Sequence, residues 1–261
     1  MRRGAIVRVV TIALLAAAVA TAVAILIPWL PDLNSKEGGR IDLVFWFVVA
    51  ICIGVFAIVA AISVYSVARF RVRPDDDSDG PPIHGHTGIE IAWTAIPTIL
   101  VTTIAVLSAV ALAENAKLKD DRVVVEVTAR QFVWTFAYPP ADAASKPKDE
   151  QICKLPPEKA NCPVSGTLRL PAGRQVELRL RALDVIHSFW VPQFRQKQDA
   201  VPGIVTRVAV TPTDPGEHTV VCTELCGLGH ALMRAPVIVM REDEFDRWRA
   251  QQERGLRGGQ G

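Results

Sequence analysis

The sequence predicts a membrane-anchored all-β protein, and three features carry that prediction. Apolar runs of spanning length recur from the N-terminus to Leu112. From Asp121 on, the pattern changes to short alternating or β-branched runs between turn signals. Late in the chain, the stretch Val220 to Met233 gathers Cys222, Cys226, His230 and Met233. Half of the 261 residues are hydrophobic, which suits one extramembrane domain plus a few spans.

Taken in order, Arg2 and Arg3 precede an apolar stretch from about Val9 to Ile27. A basic start before an apolar run marks a targeting segment, yet this run approaches a full span of about 20 residues. Residues 1–30 are therefore a signal peptide or an additional transmembrane span, and the sequence leaves both open. Pro31 to Arg40 reads as a short polar loop, and Leu43 to Val67 as a span with Cys52 and Gly54 packed inside it. Arg69, Arg71 and Arg73 follow at once and place loop 69–90 in the cytoplasm by the positive-inside rule. Asp75 to Pro82 is an acidic, Pro-rich turn, and His84 and His86 read as solvated loop residues rather than a metal pair. Ile91 to Leu112 crosses back, with Trp93 at the interface and a kink expected at Pro97. Residues 41–114 thus form a two-helix transmembrane hairpin that carries the rest of the chain to the outer face.

Seven strand candidates follow: Val123 to Phe136, Thr167 to Leu170, Gln175 to Ala182, Val185 to Val191, Thr206 to Thr211, Glu217 to Cys222 and Ala235 to Met240. Pro171-Ala-Gly173 and Asp214-Pro-Gly216 supply turns, and the set fits a Greek-key sandwich. Tyr138 to Ser165 is too long for a hairpin loop and holds Cys153 and Cys162, a pair able to oxidise outside the cell. Glu242 to Arg254 reads as a charged terminal helix and Gly255 to Gly261 as a frayed tail. Net charge is +2 with no Lys/Arg-rich run, which gives no case for nucleic acid. No Cys-x-x-Cys-His occurs, so no covalent c-type haem is expected.

Thiolate, imidazole and thioether are soft or borderline donors, suited to copper rather than magnesium, calcium or manganese. His187, in Asp184-Val-Ile-His187-Ser-Phe-Trp190, offers the second imidazole. The set is then Cys222, Cys226, His187, His230 and Met233, with the backbone carbonyl of Glu224 as a sixth donor. Two thiolates can bridge two copper ions. A Cys222–Cys226 disulfide would give no reason for His and Met at these offsets. Zinc held by two Cys and two His is the stronger rival, and Met233 with the contiguous ligand loop counts against it.

Cys222-Thr-Glu224-Leu-Cys226-Gly-Leu-Gly-His230-Ala-Leu-Met233, with His187-Ser-Phe-Trp190-Val-Pro upstream, resembles the binuclear copper (CuA) motif of cytochrome c oxidase subunit II. The likeness extends from about residue 41 to 241. It implies a cupredoxin-like Greek-key β-barrel over 115–241 that takes electrons from cytochrome c. They would leave for haem in subunit I, where oxygen is reduced to water, with subunit III as a further neighbour. It implies magnesium on the Glu224 side chain at the subunit I contact, and a proton-path entrance at Glu90, three residues before Trp93. Gln131-Phe132-Val133-Trp134 resembles the aromatic patch where electrons enter. The family usually has Trp directly after the Gln and this chain has Phe132, so Phe132 and Trp134 are both candidate entry residues.

A coordination sphere filled by protein lacks the open position of a catalytic metal, which argues for electron relay. From Asn115 onward 21 Lys+Arg face 18 Asp+Glu, net +3, so no overall acidic face awaits a basic donor. The quinol-oxidase form of the subunit lacks these ligands, and nitrous oxide reductase needs a larger His-rich domain. A membrane-anchored copper-delivery protein is the rival of a different class; it needs open, exchangeable ligation.

Overall fold

The structure, a computed structural model, describes residues 3–71, 82, 84–147, 150, 152, 153 and 161–258. Arg73, the acidic turn Asp75 to Pro81 and the last three residues of the expected tail lie outside the described residues. The chain forms two compact units, residues 1–29 with 43–110, and residues 30–42 with 111–261.

The first unit is helical. Helices α1 (Arg3–Leu26), α2 (Lys36–Phe70) and α3 (Thr87–Asn115) are each long and apolar enough to cross a bilayer. At 1.5 Å per residue the 24 residues of α1 reach about 36 Å, more than a hydrocarbon core of about 30 Å. Within the apolar part of α2, Ala57 and Ala61 are buried, small residues that let a neighbour approach closely. Cys52 and Gly54, expected as packing residues, are exposed in this chain. Helix α3 runs on through Pro97.

The second unit is a sandwich of two five-stranded sheets, ordered β3-β2-β1-β5-β8 and β4-β10-β9-β6-β7. The strands are β1 (Val123–Arg130), β2 (Val133–Ala137), β3 (Val164–Ser165), β4 (Leu168–Pro171), β5 (Val176–Ala182), β6 (His187–Trp190), β7 (Lys197–Ala200), β8 (Thr206–Val210), β9 (Gly216–Cys222) and β10 (Arg234–Met240). β1 pairs parallel with β5 and β4 with β10, as in a Greek-key arrangement; the other ladders are antiparallel. Val125, Val127, Trp134, Phe136, Leu168, Leu178, Leu180, Phe189, Val220 and Val237 fill the space between the sheets.

The expected strand Val123 to Phe136 is two strands, turning at Gln131-Phe132, where neither Gly, Pro nor Asn marks the reversal. β1 is buried on both faces because the long loop after β2 covers the outer one. There the Glu126 carboxylate accepts the Ile152 and Cys153 N–H groups, and the Arg179 guanidinium donates to the carbonyls of Ala143, Lys146 and Pro147. Burial alone would raise the Glu177 carboxyl, but Arg179 and Arg122 outweigh it and hold that carboxyl below the usual range. Cys153 and Cys162 form a disulfide in this loop.

Pro31 to Arg40, expected as a polar loop, is a strap that becomes helical at Lys36 and bonds to the sandwich. Asn34 accepts from the Thr213 and Asp214 N–H groups, Ser35 donates to the Phe194 carbonyl, and the buried Glu37 accepts from Thr211 N and Oγ1. Its polar residues are polar because the sandwich uses them. The terminal helix α4 (Glu242–Gly258) continues past the expected end at Arg254, so Gly255 is helical rather than part of a tail. α4 docks through Phe245 and Trp248 against Tyr138.

Candidate metal centre

Two strand ends and one loop bring the donors together. His187 opens β6 and Cys222 closes β9, and the β6–β9 register places Phe189 opposite Cys222. The chain then leaves the sheet, held by Thr223 N–H donating to the Ser188 carbonyl and by Cys222 N–H donating to the Met233 carbonyl. A single helical turn, His230–Leu232, returns the loop to β10 and buries Met233. Gly227 sits at φ +130°, and a Cβ on Gly229 would lie 2.5 Å from the Phe132 ring. These glycines let the ligand loop pass beneath Gln131 and Phe132.

The donor atoms fall into two sets around the sulfurs. Cys222 Sγ lies 3.9 Å from His187 Nδ1 and 3.2 Å from the Glu224 carbonyl oxygen. Cys226 Sγ lies 3.7 Å from His230 Nδ1 and 3.8 Å from Met233 Sδ. The sulfurs are 3.9 Å apart and both thiols are free. Donors bound to one metal at roughly 2.0–2.3 Å lie within about 4.6 Å of each other, and each of these pairs does. His187, Cys222 and Cys226 form a mutual cluster, and all three are buried. Burial, reinforced by Cys222, pushes the metal-free Cys226 thiol up to about 11.

Two residues that sequence reasoning did not assign to the site hold it in shape. Asp184 Oδ1 lies 2.8 Å from His187 Nε2, which turns Nδ1 towards the sulfurs. Its other oxygen accepts the Gln131 N–H, and Gln131 Nε2 donates to the Cys226 carbonyl. Burial would raise the Asp184 carboxyl, but these hydrogen bonds from Gln131 and His187 keep it low. The three-residue step from Asp184 to His187 was a readable signal for the first. Gln131 stood in the sequence only as the start of the Gln131-Phe132-Val133-Trp134 motif, with no link to the donors.

The two aromatic candidates separate. Phe132 is 39% exposed and lies over the ligand loop, whereas Trp134 is 1% exposed. The Trp134 ring meets His187 and Phe189 edge-on, so it is a wall of the site rather than a surface contact. Glu224 is exposed, its carbonyl turned to Cys222. Glu90 belongs to the first unit, in the first turn of α3. Its carboxylate accepts the His86 N–H while His86 Nδ1 accepts from Ile89, a reciprocal helix cap. Gly85, at φ +124°, leaves room for that carboxylate. His84 and His86 join no metal cluster among the described residues.

Residues 123–241 match the family model for the periplasmic domain of cytochrome c oxidase subunit II, and residues 18–110 match its transmembrane domain. The chain belongs to the cytochrome c oxidase subunit II family. Subunit 2 of Synechocystis sp. is 30% identical, aligned over 84% of this chain and 74% of its own. That of Thermostichus vulcanus is 31% identical over 86% and 78%. Among solved structures, the periplasmic domain of subunit II of cytochrome oxidase from Bradyrhizobium japonicum is 25% identical, covering 53% of this chain and 98% of that one, with a TM-score of 0.41. Membership makes this a membrane-anchored subunit of a cytochrome c oxidase, of a copper-binding family, with its β domain on the outer side.

Proposed function

We propose that this chain is the electron-entry subunit of its oxidase. It accepts electrons from a c-type cytochrome at a binuclear copper centre and passes them to haem in subunit I, where oxygen becomes water. The observation that carries the reading is the division of donors around two free sulfurs. His187 and the Glu224 carbonyl serve the Cys222 end, and His230 and Met233 the Cys226 end. Copper held by His187, Cys222, Cys226, His230 and Met233 would supply one-electron relay chemistry, and a rigid sphere would keep the change in bonding on transfer small. The protein's part is to keep that sphere rigid. Asp184 orients His187, Gln131 pins the Cys226 carbonyl, and the sandwich excludes water. The burial of His187, Cys222, Cys226 and Met233 supports relay over copper delivery, which needs exchangeable donors.

Electrons enter across Phe132, the exposed ring over the ligand loop. The Glu224 side chain holds magnesium against subunit I, an assignment supported by its exposure beside an inward carbonyl. Residues 115–241 with their strap face outward and loop 69–90 is cytoplasmic, supported by Arg69 and Arg71 behind α2. Residues 1–30 serve as a third span, supported by the length of α1, and subunits I and III flank the spans. At the cytoplasmic edge Glu90 marks the proton entrance. In the intact complex, Phe132→Ala should slow cytochrome oxidation, and Glu90→Gln should slow turnover, each with full copper content. Cytochrome oxidation unchanged by Phe132→Ala would remove the entry assignment, and unchanged turnover would return Glu90 to a helix cap.

A further inference from the structure

We propose that the groove between α1 and the end of α2 binds the phosphate of an anionic phospholipid. Val7, Arg8 and Ile12 of α1 and Tyr65, Ala68 and Arg69 of α2 enclose a space of about 330 Å³. Two guanidiniums reach it from different helices, and among the described residues neither has a carboxylate partner. Arg69 rests over the Phe70 ring, 5.8 Å from its centre, a contact that leaves its N–H edge free to donate. Guanidinium forks take phosphate oxygens two at a time.

The walls decide between a free phosphate and a lipid. They are apolar, and they continue onto exposed Val10, Leu14, Val64 and Val67, a surface suited to acyl chains and useless to inorganic phosphate. Tyr65 packs edge-on to Phe70, an aromatic pair at the depth where headgroups lie. A zwitterionic headgroup would bring an ammonium near two guanidiniums that have no carboxylate partner among the described residues, so a net anionic lipid fits better. Basic pockets between spans on the cytoplasmic side attract such headgroups. The proposal rests on the cytoplasmic placement of loop 69–90 and on α1 being kept in the mature subunit.

The test is native mass spectrometry of the intact complex, with dissociation of this subunit. The wild-type subunit should carry α1 and one phospholipid. After delipidation it should rebind phosphatidylglycerol at least about tenfold better than phosphatidylcholine, with inorganic phosphate failing to compete. Arg8→Gln with Arg69→Gln should abolish that preference, and Arg8→Lys with Arg69→Lys should keep most of it. A mature subunit that starts beyond residue 30 would overturn the proposal. So would equal rebinding by the glutamine pair, competition by inorganic phosphate, or loss of a protein neighbour in place of the lipid. Protease added to spheroplasts separates the two readings. Cleavage in loop 69–90 from outside sinks the topology, whereas a protected loop without lipid preference sinks the lipid site alone.

Discussion

Two pairs of cysteines lie in the same outer domain, and only one is oxidised. Cys153 and Cys162 close a nine-residue separation in the loop over the first sheet, while Cys222 and Cys226 stay free at 3.9 Å. Reach does not separate them, since both pairs are close. The difference lies in what the chain around each pair is fixed to. Cys153 is held through its N–H by Glu126 and through its bond to Cys162. Cys222 and Cys226 are held by a strand end, the Met233 carbonyl, Gln131 and a floor of imidazole and thioether, so the fold fixes each sulfur separately. A disulfide bond is about 2.05 Å, and the frame keeps the sulfurs at nearly twice that. One pair staples a loop; the other stays as two free thiols beside imidazole and thioether.

Substitutions should break this contrast unequally. The largest effect is expected from Cys226→Ser, which should abolish the copper centre and electron entry while leaving the fold, since no other soft donor can replace a bridging sulfur. Copper analysis and circular dichroism check both halves. Asp184→Asn should lower copper affinity about 10–100-fold by releasing His187, measured by competition with a chelator. Replacing Cys153 and Cys162 with Ser should cost about 2–3 kcal/mol of stability by denaturant unfolding, with copper content unchanged. A loss of copper there would show that the two regions are coupled. The smallest effect concerns acid. The Glu177 carboxyl is held below its ordinary value, so its stabilising contribution is present above about pH 4.5 and is lost as pH falls through its lowered value. Amides at 141–146, corrected for intrinsic exchange, should therefore lose protection in that window before amides of the ligand loop.

The ligand loop was legible because its donors are close in sequence and chemically unusual, and the spans because apolar length is unambiguous. What stayed hidden was set by tertiary contact. The turn at Gln131-Phe132 carries no turn residue, so a run of β-formers read as one strand, and Gln131 went unassigned to the site. β7, Lys197–Ala200, is a polar edge strand without alternation, and β3 is two residues long. Glu37 and Asn34 looked like loop residues because their partners, Thr211 and Thr213, lie far along the chain. Trp134 carried two readings, and its contacts with His187 and Phe189 chose the buried one.

The central claim is that two separately held thiolates bridge a copper pair. Copper analysis together with paramagnetic resonance on the full-length chain, reconstituted with copper, tests it most directly. Two coppers per chain and one unpaired electron coupled equally to both nuclei are predicted. One copper per chain, or an electron confined to a single nucleus, would contradict it.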